Sequence, residues 1–252
     1  MNNKRRPLVA GNWKMHGSRA ENAALLDDML GQLKVSDVEV MVCPPYVYLA
    51  EIAGRLAGTS VALGAQSLCA ETVGAFTGEV SASMLKEVGC QYVLVGHSER
   101  RSLYNEDSSL VACKFVAAQS RGLIPVLCVG ESLHQRQSEQ AFTVISEQLD
   151  AVVATAGIAA FAQAVVAYEP VWAIGTGLTA TPEQAQEVHS FIRQHLAASD
   201  AQVAAGVRVL YGGSVKGSNA GELFAMADVD GGLVGGASLK AAEFLQICAA
   251  AN

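Results

Sequence analysis

Ala164-Val165-Val166-Ala167-Tyr168-Glu169-Pro170-Val171-Trp172-Ala173-Ile174-Gly175-Thr176-Gly177 is the stretch on which the reading of this chain turns. The apolar run up to Tyr168 reads as a buried strand that delivers one carboxylate, Glu169, to its end. A stiff Pro-Val-Trp segment and a pliable Gly-Thr-Gly segment follow at once. A carboxylate in that position can act as a base, and a glycine-hinged loop over residues 170–177 can close on it and exclude water. Taken alone, Tyr168-Glu169-Pro170 fits better as a surface glutamate paired with an arginine beside an ordinary turn, because structural ion pairs are common. The rest of the chain reverses that preference.

Outward from this stretch, short β-branched apolar runs alternate with longer amphipathic segments. Strands are expected over 7–12, 38–43, 61–66, 92–96, 124–130, 164–169, 207–212 and 229–235. Helices are expected over 19–33, 46–56, 81–88, 108–121, 139–153, 182–198, 219–226 and 241–250. Thr181 followed by Pro182 and Gln184 is a helix-start signature, and Val111, Phe115 and Ala118 recur at helical spacing. Alternation of this kind implies parallel pairing with crossover helices. Its length favours a closed (β/α)8 barrel over a doubly wound open sheet, which alternation alone does not exclude. With no linker, low-complexity tract or charge block to mark a boundary, residues 1–252 are expected to form a single barrel domain.

The bulk composition narrows the function. The 252 residues are 51% hydrophobic, ample for a large core. With 17 basic and 24 acidic residues the formal charge is −7, which argues against a nucleic-acid partner and leaves any anionic substrate to be drawn by local charges. The six cysteines, Cys43, Cys69, Cys90, Cys113, Cys128 and Cys248, show neither metal-ligand nor disulfide-scaffold spacing and read as small hydrophobes in a reducing cytoplasm. The basic start before Leu8 is followed by too few apolar residues for a signal-peptide core. The uncharged segment 151–168 is alanine-rich and interrupted by Thr155, Gly157 and Gln163, so it reads as a helix end and a buried strand; no membrane partner is expected.

In a barrel the strand ends converge on one mouth, and here they carry chemistry. Asn12 and Lys14 close the first strand, as an amide donor and a fixed cation for a substrate oxygen. His97 opens Ser98-Glu99-Arg100-Arg101, a short helical turn whose dipoles disfavour the imidazolium and leave a neutral donor. Gly212-Gly213-Ser214 and Gly235-Gly236 end the last two strands, where paired glycines let peptide N–H groups approach an anion. Each has an ordinary alternative: a solvated rim lysine, a capping histidine, glycines of tight turns. Together they fit one reaction, in which a carboxylate takes a proton beside a carbonyl while imidazole, amide and cation hold the enediolate. None of His16, His97, His134, His189 and His195 has a ligand-like partner spacing, and neither metal nor cofactor is expected.

At this point the chain resembles the triosephosphate isomerase family, from Leu8 to Leu239. The likeness is carried by Gly11-Asn12-Trp13-Lys14-Met15, Gly96-His97-Ser98-Glu99-Arg100-Arg101, the stretch from Ala167 to Gly177, Tyr211-Gly212-Gly213-Ser214-Val215, and Leu233-Val234-Gly235-Gly236-Ala237-Ser238-Leu239. The resemblance implies cofactor-free interconversion of dihydroxyacetone phosphate and glyceraldehyde 3-phosphate. It makes Glu169 the base and His97 the neutral electrophile, with Lys14 and Asn12 on substrate oxygens; this family is itself the reference example of such a tuned carboxylate–imidazole pair. Gly175, Ser214, Gly235 and Gly236 would hold the phosphate, residues 170–177 would form the lid, and Glu99 would partner Lys14. It also implies a cytoplasmic homodimer joined through the loop 67–81, whose tip carries Phe76 and Thr77. His16 stands where members of the family commonly carry Asn. Two other readings stay open from the sequence: a different phosphate-binding barrel, and a catalytically silent barrel kept for binding.

Overall fold

Why the strands are apolar along their whole length becomes clear from their pairing. β1 (Leu8–Asn12), β2 (Glu39–Cys43), β3 (Val61–Ala65), β4 (Tyr92–Val95), β5 (Ile124–Val129), β6 (Val165–Tyr168), β7 (Arg208–Tyr211) and β8 (Gly231–Val234) form a closed ring in sequence order. Every ladder is parallel, and β1 pairs with both β2 and β8, with Leu8 opposite Glu39 on one side and Gly231 on the other. This is the (β/α)8 barrel, seen in a computed structural model that describes residues 5–34, 37–175 and 178–252.

A closed parallel sheet has no solvent face, so both sets of alternating side chains are buried. Leu8, Ala10, Met41, Cys43, Leu94, Val126, Cys128, Val165, Ala167 and Leu210 pack together as one cluster inside the barrel. Their neighbours Val9, Val40, Val42, Val93, Val95, Leu127, Val166 and Val209 join the larger cluster between sheet and helices. Cys43, Cys90, Cys128 and Cys248 are buried, whereas Cys113 is exposed. The floor of the barrel is closed by a polar plug at the first residues of three strands. Arg208 donates to Glu39 at 2.6 Å and to the Tyr92 hydroxyl at 3.1 Å, and that hydroxyl donates to Glu39.

The helices are α1 (Arg19–Gln32), α2 (Leu49–Leu56), α3 (Ala82–Glu87), α4 (Ser98–Leu103), α5 (Ser108–Ser120), α6 (Leu133–Gln137), α7 (Ala141–Ala156), α8 (Pro182–Ala197), α9 (Ala201–Gly206), α10 (Gly217–Phe224) and α11 (Ala241–Ala250). The start of α8 is the expected one: Thr181 and Gln184 form a reciprocal capping box and Pro182 opens the helix. Val111, Phe115 and Ala118 form the buried face of α5. Differences from the sequence expectation are local. Residues 46–48 form a tight 3₁₀ turn ahead of α2, and α10 begins at Gly217 where a start at 219 was expected. The short α6 and α9 and the 3₁₀ segment Ile158–Gln163 have too few residues for a periodic signal. No helix among the described residues is long and apolar enough to cross a membrane.

One buried polar side chain in this core makes stability depend on pH. His189 on α8 is fully buried, with its ring 5.8 Å from that of Tyr168 and 6.4 Å from that of Tyr211. Burial pulls its pKa down to about 4, only partly countered by the Asp228 carbonyl beside Nδ1. Below pH ~6.5 an unfolded chain binds a proton there that the folded chain refuses until about pH 4. Stability therefore falls as pH drops through that window, by up to about 3 kcal/mol. In His189→Leu the urea midpoint is expected to move less between pH 7.5 and 5 than in the parent; equal movements would remove His189 as the cause.

Candidate active site

Five strand ends build one cavity of about 500 Å³ at the mouth of the barrel. Asn12, Lys14, His97, Glu169, Gly175, Ser214, Gly235 and Gly236 all line it, although they come from segments far apart in sequence. Lys14, His97, Glu169 and Ser214 arrive by the same local logic: a strand ends, the ladder stops holding the chain, and a polar residue follows within three positions.

Glu169 directly follows β6, and its backbone N–H still donates to Val129 O at 2.7 Å. Gly130 is required for that close passage, since a Cβ there would lie 1.8 Å from the Glu169 carbonyl oxygen. The Glu169 carboxylate is nearly buried, at 2% exposure, and holds two donors. The peptide N–H of Ser98 donates to Oε2 at 2.8 Å, and His97 Nε2 lies 2.9 Å from Oε1.

His97 caps α4 from the far side of the cavity, after Gly96 turns the chain through a left-handed φ of +72°. Its Nδ1 accepts the Glu99 N–H at 3.2 Å. A peptide N–H can donate only to a bare ring nitrogen, so the proton resides on Nε2 and points at Glu169. Burial alone pulls the His97 pKa down, but the adjoining Glu169 carboxylate outweighs it and holds the value above the ordinary one. The sequence suggested only the opposite tendency, because it does not reveal that the carboxylate rests on the ring. Once Glu169 moves away, its raising effect goes with it, and burial and the Glu99 N–H favour the neutral imidazole against the Glu99 carboxylate 3.7 Å from Nδ1.

Lys14 sits two residues past β1 with φ +51°, a left-handed conformation uncommon for a residue with a side chain. The strain is held by two bonds: Lys14 N–H donates to Asn12 Oδ1 at 3.0 Å, and Gln66 Nε2 donates to the Lys14 carbonyl at 2.8 Å. The Asn12 oxygen is thereby occupied, which leaves its NH₂ to face the cavity. Lys14 Nζ donates to Glu99 Oε1 at 2.6 Å. Glu99 is partly buried, which raises its pKa, but Lys14 and His97 together hold it below the usual carboxylate range.

At the other end, the peptide N–H groups of Ser214, Gly235 and Gly236 make no hydrogen bond to another described residue. Asn219 Nδ2 donates to Ser214 O at 3.2 Å and Ser238 Oγ to Gly235 O at 2.7 Å; the Gly235 carbonyl shares a peptide plane with the Gly236 N–H, which therefore points the opposite way. Such a nest of unpaired N–H groups suits a phosphate. Among the described residues no His, Cys, Asp and Glu side chains gather as a metal ion would need.

The front of the expected lid is anchored by a residue that sequence reasoning missed. Glu131, fully buried just after β5, accepts on Oε1 from Tyr168 OH at 3.0 Å, Trp172 Nε1 at 2.8 Å and Arg136 at 3.2 Å. The Arg136 guanidinium also lies 5.0 Å from the Trp172 ring centre. Val171–Ala173 forms a 3₁₀ turn on this base, and Gly175 follows with φ +71°. Thr176 and Gly177, the expected rear hinge, lie outside the described residues. Glu131 immediately follows Gly130, so the rule that strand ends carry function could have found it. Gln66, Lys216, Lys240 and Glu243 were likewise passed over because each stands in no motif.

A closed parallel barrel with a carboxylate facing a histidine, and a donor nest opposite, defines a phosphate-binding (β/α)8 enzyme. The family model described as Triosephosphate isomerase matches residues 7–251. Among relatives, the Triosephosphate isomerase of Thiobacillus denitrificans is 63% identical over 247 residues, covering 98% of this chain and 99% of that protein. The protein of the same name from Dechloromonas aromatica is 59% identical over 248 residues, covering 98% and 100%. That from Nitrosococcus oceani is 56% identical over 249 residues, covering 98% and 100%. The chain belongs to the triosephosphate isomerase family.

Proposed function

We propose that this protein interconverts dihydroxyacetone phosphate and D-glyceraldehyde 3-phosphate, an aldose–ketose isomerisation of glycolysis and gluconeogenesis, with Glu169 as base and His97 as electrophile. The observation that carries the residue assignment is the 2.9 Å approach of His97 Nε2 to Glu169 Oε1 inside the cavity that also holds the donor nest.

In the resting arrangement both carboxylate oxygens are engaged, Oε2 by the Ser98 N–H and Oε1 by His97. A substrate carbonyl oxygen entering beside His97 takes the Nε2 proton donor for itself. Glu169 is then released over the carbon next to that carbonyl. It removes the proton from that carbon, the electron pair moves onto the carbonyl oxygen, and an enediolate forms. Neutral imidazole donates to its oxygens and relays a proton between them, while Lys14 and the Asn12 amide stabilise the negative charge. Glu169 returns its proton to the neighbouring carbon, which completes the isomerisation. Gly175, Ser214, Gly235 and Gly236 fix the phosphate throughout. Residues 170–177 close over it, keeping water from an intermediate that would otherwise lose phosphate. A coupled assay on the purified protein tests the activity: absence of turnover with glyceraldehyde 3-phosphate would refute it.

The protein acts as a homodimer in this reading, joined through the tip of the loop 67–81. Support comes from apolar side chains left uncovered on the loops after β1 and β3: Met15 at 93% exposure, Val73 at 86% and Phe76 at 46%. The loop is tied at its base, where Cys69 N–H donates to Val80 O at 2.8 Å. Apolar side chains exposed to this degree suit burial against a second copy better than solvent. Thr77→Arg would place a charge at the centre of that contact, and sedimentation is expected to shift to monomer; an unchanged coefficient would exclude this loop from the interface. Localisation in the cytoplasm is the corresponding reading for a chain with scattered unpaired thiols.

A further inference from the structure

We propose that Lys216 and Lys240 form an outer anion-capture pair at the phosphate end of the cavity, drawing the substrate dianion in without holding it during chemistry. The proposal rests on the triose phosphate reading above and adds two residues that neither motif nor donor nest includes.

Three observations carry it. Both lysines line the cavity alongside Ser214, Gly235 and Gly236, Lys216 from the start of α10 and Lys240 from the start of α11. Both side chains are exposed, and neither ammonium makes an ion pair among the described residues. Lys14, the remaining lysine of the lining, is already engaged by Glu99 at 2.6 Å. Finally, the sign of the field depends on the pair. The cavity is lined by Lys14, Lys216 and Lys240 against Glu169 and Glu243, on a chain whose overall formal charge is −7. Without Lys216 and Lys240 the lining would carry more negative charge than positive and would repel a phosphate ester. Glu243 is held in place by the Gly217 N–H, which donates to its Oε1 at 2.8 Å, and its charge is one of the two that the lysines outweigh.

The division of labour follows from stiffness. Peptide N–H groups fixed by the barrel can match a phosphate geometrically, whereas two long exposed side chains supply attraction over distance and little positional control. Their contribution belongs in kcat/KM and in its salt dependence.

The test compares the parent with Lys216→Gln, Lys240→Gln, the double variant and Lys34→Gln. Lys34 is an exposed lysine after α1, near the opposite end of the barrel, and controls for net charge. In the double variant kcat/KM for glyceraldehyde 3-phosphate is expected to fall about three- to tenfold at low ionic strength, with kcat within about twofold. The gap should close near 0.5 M salt, where the screening length is only a few ångström, roughly 4 Å. Competitive inhibition by inorganic phosphate should weaken in parallel. A parent-like salt slope in the double variant, an equal loss in Lys34→Gln, or a drop in kcat matching that in kcat/KM would each overturn the proposal. Failure of the parent to turn over triose phosphate would instead overturn the isomerase reading, and inorganic phosphate binding, measured calorimetrically on the same proteins, would still decide the role of the lysines.

Discussion

Glu169→Gln lowers kcat by about 10³–10⁴, the range expected when a positioned base is removed. That factor corresponds to about 4–5.5 kcal/mol of barrier. The amide has nearly the same shape as the carboxylate, so the cavity and the donor nest should persist and inorganic phosphate should still bind. The amide oxygen can go on accepting the Ser98 N–H, but its NH₂ then meets the proton on His97 Nε2, donor against donor. The variant therefore loses both basicity and the resting contact. Steady-state kinetics with both triose phosphates, together with a phosphate dissociation constant, measure the two effects separately. A kcat within tenfold of the parent would remove Glu169 from the mechanism.

His97→Ala is expected to lower kcat by about 10²–10³, comparable to loss of an oxyanion donor in other enzymes. It also leaves Glu169 with the Ser98 N–H as its remaining donor. In the parent the adjoining Glu169 carboxylate holds the His97 pKa above its ordinary value. His97→Gln, which restores an N–H but cannot relay a proton, should recover part of the loss. A rise in KM with unchanged kcat would make His97 a binding group only.

The motifs at the strand ends were legible because a barrel forces them to be. The ladder needs unbroken apolar runs, so a polar residue directly after such a run, as at Asn12 or Glu169, stands out against its background. The alternation of strands and helices set the topology for the same reason. What could not be read depends on contacts between segments with no pattern of their own. Glu131 is a lone glutamate whose importance comes from Tyr168, Trp172 and Arg136 converging on one oxygen. Gln66 matters because it grips the carbonyl of a strained Lys14. Lys216 and Lys240 would pass for ordinary rim charges until the cavity wall is drawn around them. The state of His97 was half legible: its place at a helix start was visible, but the carboxylate resting on it was not.

The ring of strands is sealed by the ladder that sets Leu8 against Gly231, partners nearly a full chain length apart. Little rewards that closure until almost all of the polypeptide has left the ribosome, so β1 waits with an apolar, unsatisfied border for most of its synthesis. Half-made chains are then open to stray strand addition, and chaperone cover during translation is worth more to this architecture than to one built from neighbouring contacts.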